Sequence, residues 1–173
     1  DHSRGYAYCG DWEMAPGRVP DFARHVQKVH EMGLGVLIWY SVPFVGKKSQ
    51  AWKRFHTMLL TTLEDMQAGV LDPRYPQVRE YLTTQYEHAV RDWDLDGLKL
   101  DFIDQFYFRP DTPVYAPGMD CASVQEAVQQ LLQEISSRLR DIKPSVMIEF
   151  RQRYIGPLMR CCGNMFRVTD CPG

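Results

Sequence analysis

The stretch Asp94-Leu95-Asp96-Gly97-Leu98-Lys99-Leu100-Asp101-Phe102-Ile103-Asp104 holds the side chains best placed to do chemistry. It reads as a short buried strand that delivers charge at its far end. Alternation puts Leu98, Leu100 and Phe102 on one face and Lys99, Asp101 and Ile103 on the other. A lysine two residues before an aspartate on one face holds that carboxylate ionised by Coulomb attraction, which suits a nucleophile better than a general acid. In an open sheet the pair would face solvent. In a closed parallel barrel it would face inward, near the carboxyl ends of the strands, where barrel enzymes assemble their sites. The residues alone leave a plainer alternative open, in which Asp101 or Asp104 caps the next helix or closes a turn. Further on, Met165-Phe166-Arg167-Val168-Thr169-Asp170 reads as a strand that presents a second aspartate, Asp170, at its carboxyl end. Arg167, three residues earlier, falls on the opposite strand face from Asp170.

The elements that must position these groups follow a helix-then-strand order. Tyr6 to Glu13 has no clean period and reads as a loop, extended by Pro16, Gly17 and Pro20. Asp21 caps a helix with Phe22, Val26, Val29 and Met32 at helical spacing, and Gly33 stops it. Leu34 to Tyr40 is a nearly continuous apolar run, as in a strand covered on both faces. Pro43 to Lys48 reads as a loop, Ser49 to Leu63 as a helix with Trp52, Phe55, Leu59 and Leu63 on one stripe, and Gly69 to Asp72 as a strand. A helix over 76–93 feeds the Lys99 strand. Gln105 to Asp120 is a long loop whose aromatics favour stacking on flat ligands over plain packing. Ser123-Val124-Gln125-Glu126 is a capping box for a helix ended by Pro144, followed by a strand over 146–150 and a short segment over 156–162. This is the order of a parallel α/β fold.

The 173 residues, 45% of them hydrophobic, can bury the core of one domain, here 1–173 without linker, long repeat or low-complexity tract. A net charge of -2 gives no reason to expect nucleic acid or anionic membrane as a partner. No apolar run approaches the roughly 18 to 20 residues of a membrane span, and Asp1-His2-Ser3-Arg4 has no signal-peptide character. Five cysteines (Cys9, Cys121, Cys161, Cys162 and Cys171) are an odd number without C-x-x-C spacing, which favours reduced thiols and a cytoplasmic compartment. No zinc site, other metal or cofactor is expected. His25 and His30 lie five apart on their helix, do not share a face, and are expected at the surface.

With Asp101 and Asp170 both in view, the chain resembles glycoside hydrolase family 36, the melibiase-type α-galactosidases. Gly10-Asp11-Trp12 resembles that family's loop after its first strand, and the strand around Trp39 its second. Val70-Leu71-Asp72 through Pro76-Gln77-Val78-Arg79-Glu80-Tyr81-Leu82 resembles its "L-D-L-x-x-P-x-V-x-x-Y", Trp93 to Asp101 its segment ending in "K-x-D", and Thr169-Asp170 its serine-aspartate. The resemblance implies a (β/α)8 TIM barrel, incomplete in this chain, with about strands 2 to 6 present and a longer natural protein around them. It implies a retaining mechanism on terminal α-linked sugars, with Asp101 as nucleophile and Asp170 as general acid/base. It further implies sugar contacts from Lys99, from Trp39 as an apolar wall, and from Asp11, Trp12 and Glu149.

Two segments depart from that pattern. Ser41-Val42-Pro43-Phe44 replaces a Glu-Pro-Glu-Met, and Phe150-Arg151-Gln152-Arg153-Tyr154 replaces a Cys-Ser-x-Gly-Gly run that shapes the galactose pocket. Arg151 or Arg153 in place of glycine offers a bidentate partner for a carboxylate or a hydroxyl cluster on another sugar. The expected partner is therefore a small carbohydrate, with homo-oligomerisation left open. The alternatives are a glycosidase or transglycosidase for a sugar other than galactose, and a barrel that binds carbohydrate without cleaving it.

Overall fold

The computed structural model describes residues 5–15, 17–151 and 156–167. The fold is α/β with a parallel sheet, and its contacts group into two compact units. One comprises Asp1–Glu13, Ser41–Leu82 and Phe102–Leu131, the other Met14–Tyr40, Thr83–Asp101 and Leu132–Gly173. No helix among the described residues is long and apolar enough to cross a membrane.

The parallel sheet is built from a helix-then-strand repeat. Helix α1 (Phe22–Glu31) precedes β1 (Leu37–Ser41), α3 (Pro76–Asp92) precedes β5 (Gly97–Asp101), α4 (Val124–Ile142) precedes β6 (Met147–Arg151), and α5 (Pro157–Cys162) precedes β7 (Met165–Arg167). These strands form one sheet in the order β1-β5-β6-β7, with β5–β6 and β6–β7 parallel. Local signals set the helix ends as the sequence predicts. Asp21 accepts the Arg24 amide at 3.0 Å, Ser123 accepts the Glu126 amide at 3.1 Å, and Gly33 takes the positive φ of 76° that ends the first helix. The α1 stripe is only partly used, since Val26 is buried while Met32 is 66% exposed.

Alternation on β5 and β6 sorts side chains cleanly. Leu98, Leu100, Ile148 and Phe150 are buried on one face, and Lys99, Asp101, Glu149 and Arg151 take the other. Phe102 does not continue this pattern, contrary to the sequence expectation. It adopts a left-handed conformation (φ 64°, ψ 22°), and Ile103 begins a 3-10 turn, so β5 ends at Asp101. At the start of β5, Gly97 lies so close to its neighbour that an added Cβ would sit 2.2 Å from the Met147 carbonyl oxygen.

The entry to β5 is also tied by charge, which corrects the expectation for His30. This side chain is half-buried, and its Nε2 lies 2.8 Å from the Asp96 carboxylate, which also accepts the Val36 amide at 2.7 Å. Lys143 reaches Asp94 at 2.6 Å and Asp96 at 3.8 Å. Burial pushes the Asp96 carboxyl up, but the Val36 amide, the His30 ring and Lys143 together outweigh it and hold the carboxyl below its usual value. His25 is exposed, as expected.

The first unit departs most from the sequence reading. Residues 43–48 are not a plain loop, because Phe44–Gly46 forms β2. Residues 49–63 are not one helix: α2 spans only Gln50–Phe55, and Leu59–Leu63 is β3. The misreading has a simple cause. A separation of four places Leu59 and Leu63 on one side of a helix, but a short apolar run fits a strand equally well, and in β3 a register shift between Leu59 and Thr61 takes the two leucines off a common face. The β-branched pair Thr61-Thr62 and the partner strand decide between the two. β4 (Ala68–Leu71) pairs antiparallel with both β2 and β3, giving a separate sheet in the order β2-β4-β3. The strand expected at Gly69 to Asp72 therefore belongs to this sheet, and the parallel sheet has four described strands rather than five.

The aromatic loop after β5 is held down by buried cations of its own unit. Arg74 pairs with Asp72 at 2.6 Å and donates to the Pro113 carbonyl at 2.8 Å, and Arg79 forks onto Asp120 at 2.9 and 2.6 Å. Thr61 donates to Asp111. The rings split between packing and exposure: Phe106 is buried, whereas Tyr107, Phe108 and Tyr115 are exposed. The four described cysteines, Cys9, Cys121, Cys161 and Cys162, are free thiols.

Two outcomes follow for stability. Gly97→Ala should cost about 1–3 kcal/mol in urea unfolding, because the new methyl must push β5 away from β6. Asp96→Asn should cost about 1 kcal/mol at pH 7. A depressed folded pKa contributes stability above the unfolded value of about 4, and that contribution is lost as pH falls through the folded value. The gap between wild type and Asp96→Asn should therefore close when unfolding is repeated at acid pH.

Candidate active site

All the charged side chains of this site lie within the second unit, on the ends of adjacent strands. Asp101 is the last residue of β5 and is 5% exposed. Its Oδ2 accepts a hydrogen bond from Trp39 Nε1 of β1 at 2.9 Å and lies 3.5 Å from Lys99 Nζ. Its Oδ1 lies 3.2 Å from Arg151 Nε of β6. A carboxylate this buried is costly unless paired and hydrogen-bonded, and three strands each supply part of the compensation. Those partners give the Asp101 carboxylate contacts on three strands, beyond the following turn. Asp104 lies in the 3-10 turn Ile103–Gln105.

The strand register explains the convergence. Lys99 is paired with Glu149, Glu149 with Met165, and Arg151 with Arg167. Register partners in a parallel pair project to the same side, so Lys99, Asp101, Glu149, Arg151 and Arg167 share one face. An open cavity of about 360 Å³ lies on this part of the sheet, lined by Glu149, Met165, Phe166 and Arg167.

The other residues expected at the site fare differently. Trp39 meets Asp101 through its indole N–H, a hydrogen-bonding contact that periodicity could not indicate. Asp11 accepts the amides of Gln50 at 2.8 Å and Ala51 at 2.8 Å, so its carboxylate caps α2 within the first unit. Trp12 sits in irregular backbone of the same unit with φ 52°. Asp170 and Arg153 lie outside the described residues. Arg167 was not among the expected site residues. Its signal was present in its even spacing from Met165, which places it on the face of Glu149 once the register is known. Among the described residues, no group of three or more histidine, cysteine, aspartate or glutamate side chains is arranged to hold a metal ion.

Residues 13–152 match the family described as Glycosyl hydrolase-like 10. The chain belongs to that family. Among characterised proteins it is similar to the 1,4-alpha-glucan branching enzyme GlgB of Mycobacterium tuberculosis, 24% identical over 143 residues that cover 76% of this chain and 19% of the enzyme. Among solved structures it is similar to an alpha-galactosidase from Thermus thermophilus in complex with stachyose, with TM-score 0.68 and 17% identity over 93% of this chain and 34% of that one. It is also similar to a family 36 alpha-galactosidase from Geobacillus stearothermophilus in complex with 1-deoxygalactonojirimycin, with TM-score 0.65 and 16% identity over 84% of this chain and 21% of that one. The expected likeness to family 36 is thus met in the fold. The chain spans about a fifth of the length of the branching enzyme.

The pairing of Asp101 with Arg151 can be read by a double-mutant cycle. Arg151→Met should destabilise by about 1–3 kcal/mol, because it strips a partner from a buried carboxylate. In an Asp101→Asn background the same change should cost less, with a coupling of about 0.5–3 kcal/mol measured by urea unfolding. Strict additivity would mean that the contact contributes nothing.

Proposed function

We propose that this glycosyl hydrolase-like chain forms part of a (β/α)8 barrel and carries the catalytic carboxylates of a retaining glycoside hydrolase acting on terminal α-linked sugars. The observation that carries the reading is Asp101 itself: a buried carboxylate at a strand end, oriented by Trp39 and flanked by Lys99 and Arg151. Repeated helix-strand units around one parallel sheet support the barrel. The names of the relatives, a 1,4-alpha-glucan branching enzyme and alpha-galactosidases, support an α-linkage.

In the proposed reaction, Asp101 attacks the anomeric carbon while Asp170 gives its proton to the departing oxygen, leaving a glycosyl ester on Asp101. Asp170, now a carboxylate, takes a proton from water, and the water oxygen attacks the anomeric carbon and expels Asp101. Lys99 and Arg151 act in both halves. They compensate the charge of the resting nucleophile and stabilise the same charge as it returns when the ester breaks. Trp39 fixes which oxygen is presented. Transfer to a sugar hydroxyl instead of water needs no new residue. Galactose is one candidate for the sugar, but the arginine-containing segment after Glu149 alters the pocket in which it would sit.

Release of nitrophenol from a panel of aryl α-glycosides by the full-length protein tests this directly. Turnover should fall by about 10⁴-fold or more in Asp101→Asn and by about 10²–10⁴-fold in Asp170→Asn. No turnover on any sugar, with binding of free sugars intact, would replace the proposal with a non-catalytic carbohydrate-binding role.

A further inference from the structure

Helix α4 leads into the start of β6 and α5 into the start of β7, so both helices finish at the end of the sheet opposite Asp101. There, within the second unit, lies an open cavity of about 410 Å³. That size falls in the range of about 300–1,000 Å³ usual for small-ligand sites. Ser136, Ser137, Arg140 and Asp141 line it from α4, and Cys161 and Cys162 line it from α5.

The helix sorts the two thiols. Neighbours on a helix point about 100° apart, and accordingly Cys161 is exposed while Cys162 is buried. Burial pushes the Cys162 thiol up, which keeps it protonated and unreactive at neutral pH. The same divergence prevents the pair from bridging each other while α5 keeps its helical turn. A partner for the Cys161 sulfur therefore comes from outside the pair.

The α4 wall indicates what that partner looks like. Ser136 is 4% exposed, and among the described residues its Oγ has no hydrogen-bond partner. A buried hydroxyl left unpaired is costly, and a polar ligand atom in the cavity would satisfy it. Arg140 donates through Nη1 to the Cys161 carbonyl at 3.3 Å, which sets its guanidinium beside the residue that bears the exposed thiol. Asp141 supplies a carboxylate and Ser137 a second hydroxyl. A zwitterionic peptide matches this set: its carboxylate suits the guanidinium, its ammonium suits Asp141, and an amide suits the serine hydroxyls.

We propose that Cys161 is an S-thiolation site, and that this cavity presents it to the disulfide of a small, carboxylate-bearing peptide thiol. Cys161 gives up its proton to solvent, and its thiolate attacks one sulfur of that disulfide. A new S–S bond forms as the old one breaks, and the other half leaves as a thiolate that takes a proton from solvent. Cys161 is oxidised to a mixed disulfide, and the departing half is reduced to a thiol. This site is independent of the hydrolase reading.

The test exposes the reduced full-length protein to oxidised glutathione and, separately, to the neutral bis(2-hydroxyethyl) disulfide, and maps the adducts over time by mass spectrometry. Each rate is divided by that of N-acetylcysteine with the same disulfide, which removes intrinsic reactivity. One glutathionyl unit should appear on Cys161 before any other cysteine, at a normalised rate about tenfold above that of the neutral disulfide. Arg140→Gln should remove most of that preference while leaving the rate with the neutral disulfide unchanged. Ser136→Ala should slow glutathionylation about threefold without lowering the urea midpoint, because an unpartnered hydroxyl holds nothing in the unliganded fold. Equal normalised rates, a preference that survives Arg140→Gln, first modification at another cysteine, or oxidation of Cys161 without an adduct would each overturn the proposal. The wild-type comparison stands even if a variant fails to fold.

Discussion

Everything chemically distinctive in this chain depends on keeping one carboxylate, that of Asp101, out of water. A lone buried carboxylate is unstable by several kcal/mol, so its position requires partners from more than one strand. Lys99 comes from the same strand two residues earlier, Trp39 from β1 and Arg151 from β6. Each partner is useful only when its strand is in the correct register, because a slip of one residue would turn it to the opposite face. The carboxylate and the sheet order thus specify each other.

The scaffold meets that requirement with ordinary devices. Apolar residues at Leu98, Leu100, Ile148 and Phe150 bury the far face of β5 and β6 and fix which residues are left for the charged face. Gly97 permits the close approach that sets the β5–β6 register from its first pair. Asp96, His30 and Lys143 tie down the opposite end of the same strand, away from Asp101. The left-handed turn at Phe102 then ends the strand, leaving Asp101 as its final residue.

The parts of this arrangement that depend on local pattern were legible in the sequence. The caps at Asp21 and Ser123, the stop at Gly33, the long helices before β5 and β6, and the shared face of Lys99 and Asp101 all follow from spacing and residue type. The parts that depend on a partner were not. Nothing local distinguishes Leu59 to Leu63 as a strand from a helix until β4 lies beside it. His30 is unremarkable until the chain brings Asp96 to it from sixty-six residues away. Arg151 was legible as an unusual cation, but its contact with Asp101 required the β5–β6 register, and the place of Arg167 on the same face required the register of β6 with β7. Asp11 carries a role that local pattern did not announce. It suits a sugar ligand by resemblance, yet its oxygens cap the α2 helix.

The central claim, that Asp101 acts as a nucleophile, is tested most directly by trapping. The full-length protein is incubated with fluorinated, activated α-glycosides of both neutral and acidic sugars, whose covalent esters hydrolyse slowly, then digested and analysed by mass spectrometry. The account predicts one glycosyl unit added to the peptide containing Asp101, and none in Asp101→Asn. A label on another carboxylate, or hydrolysis of ordinary α-glycosides with inverted anomeric configuration, would contradict it.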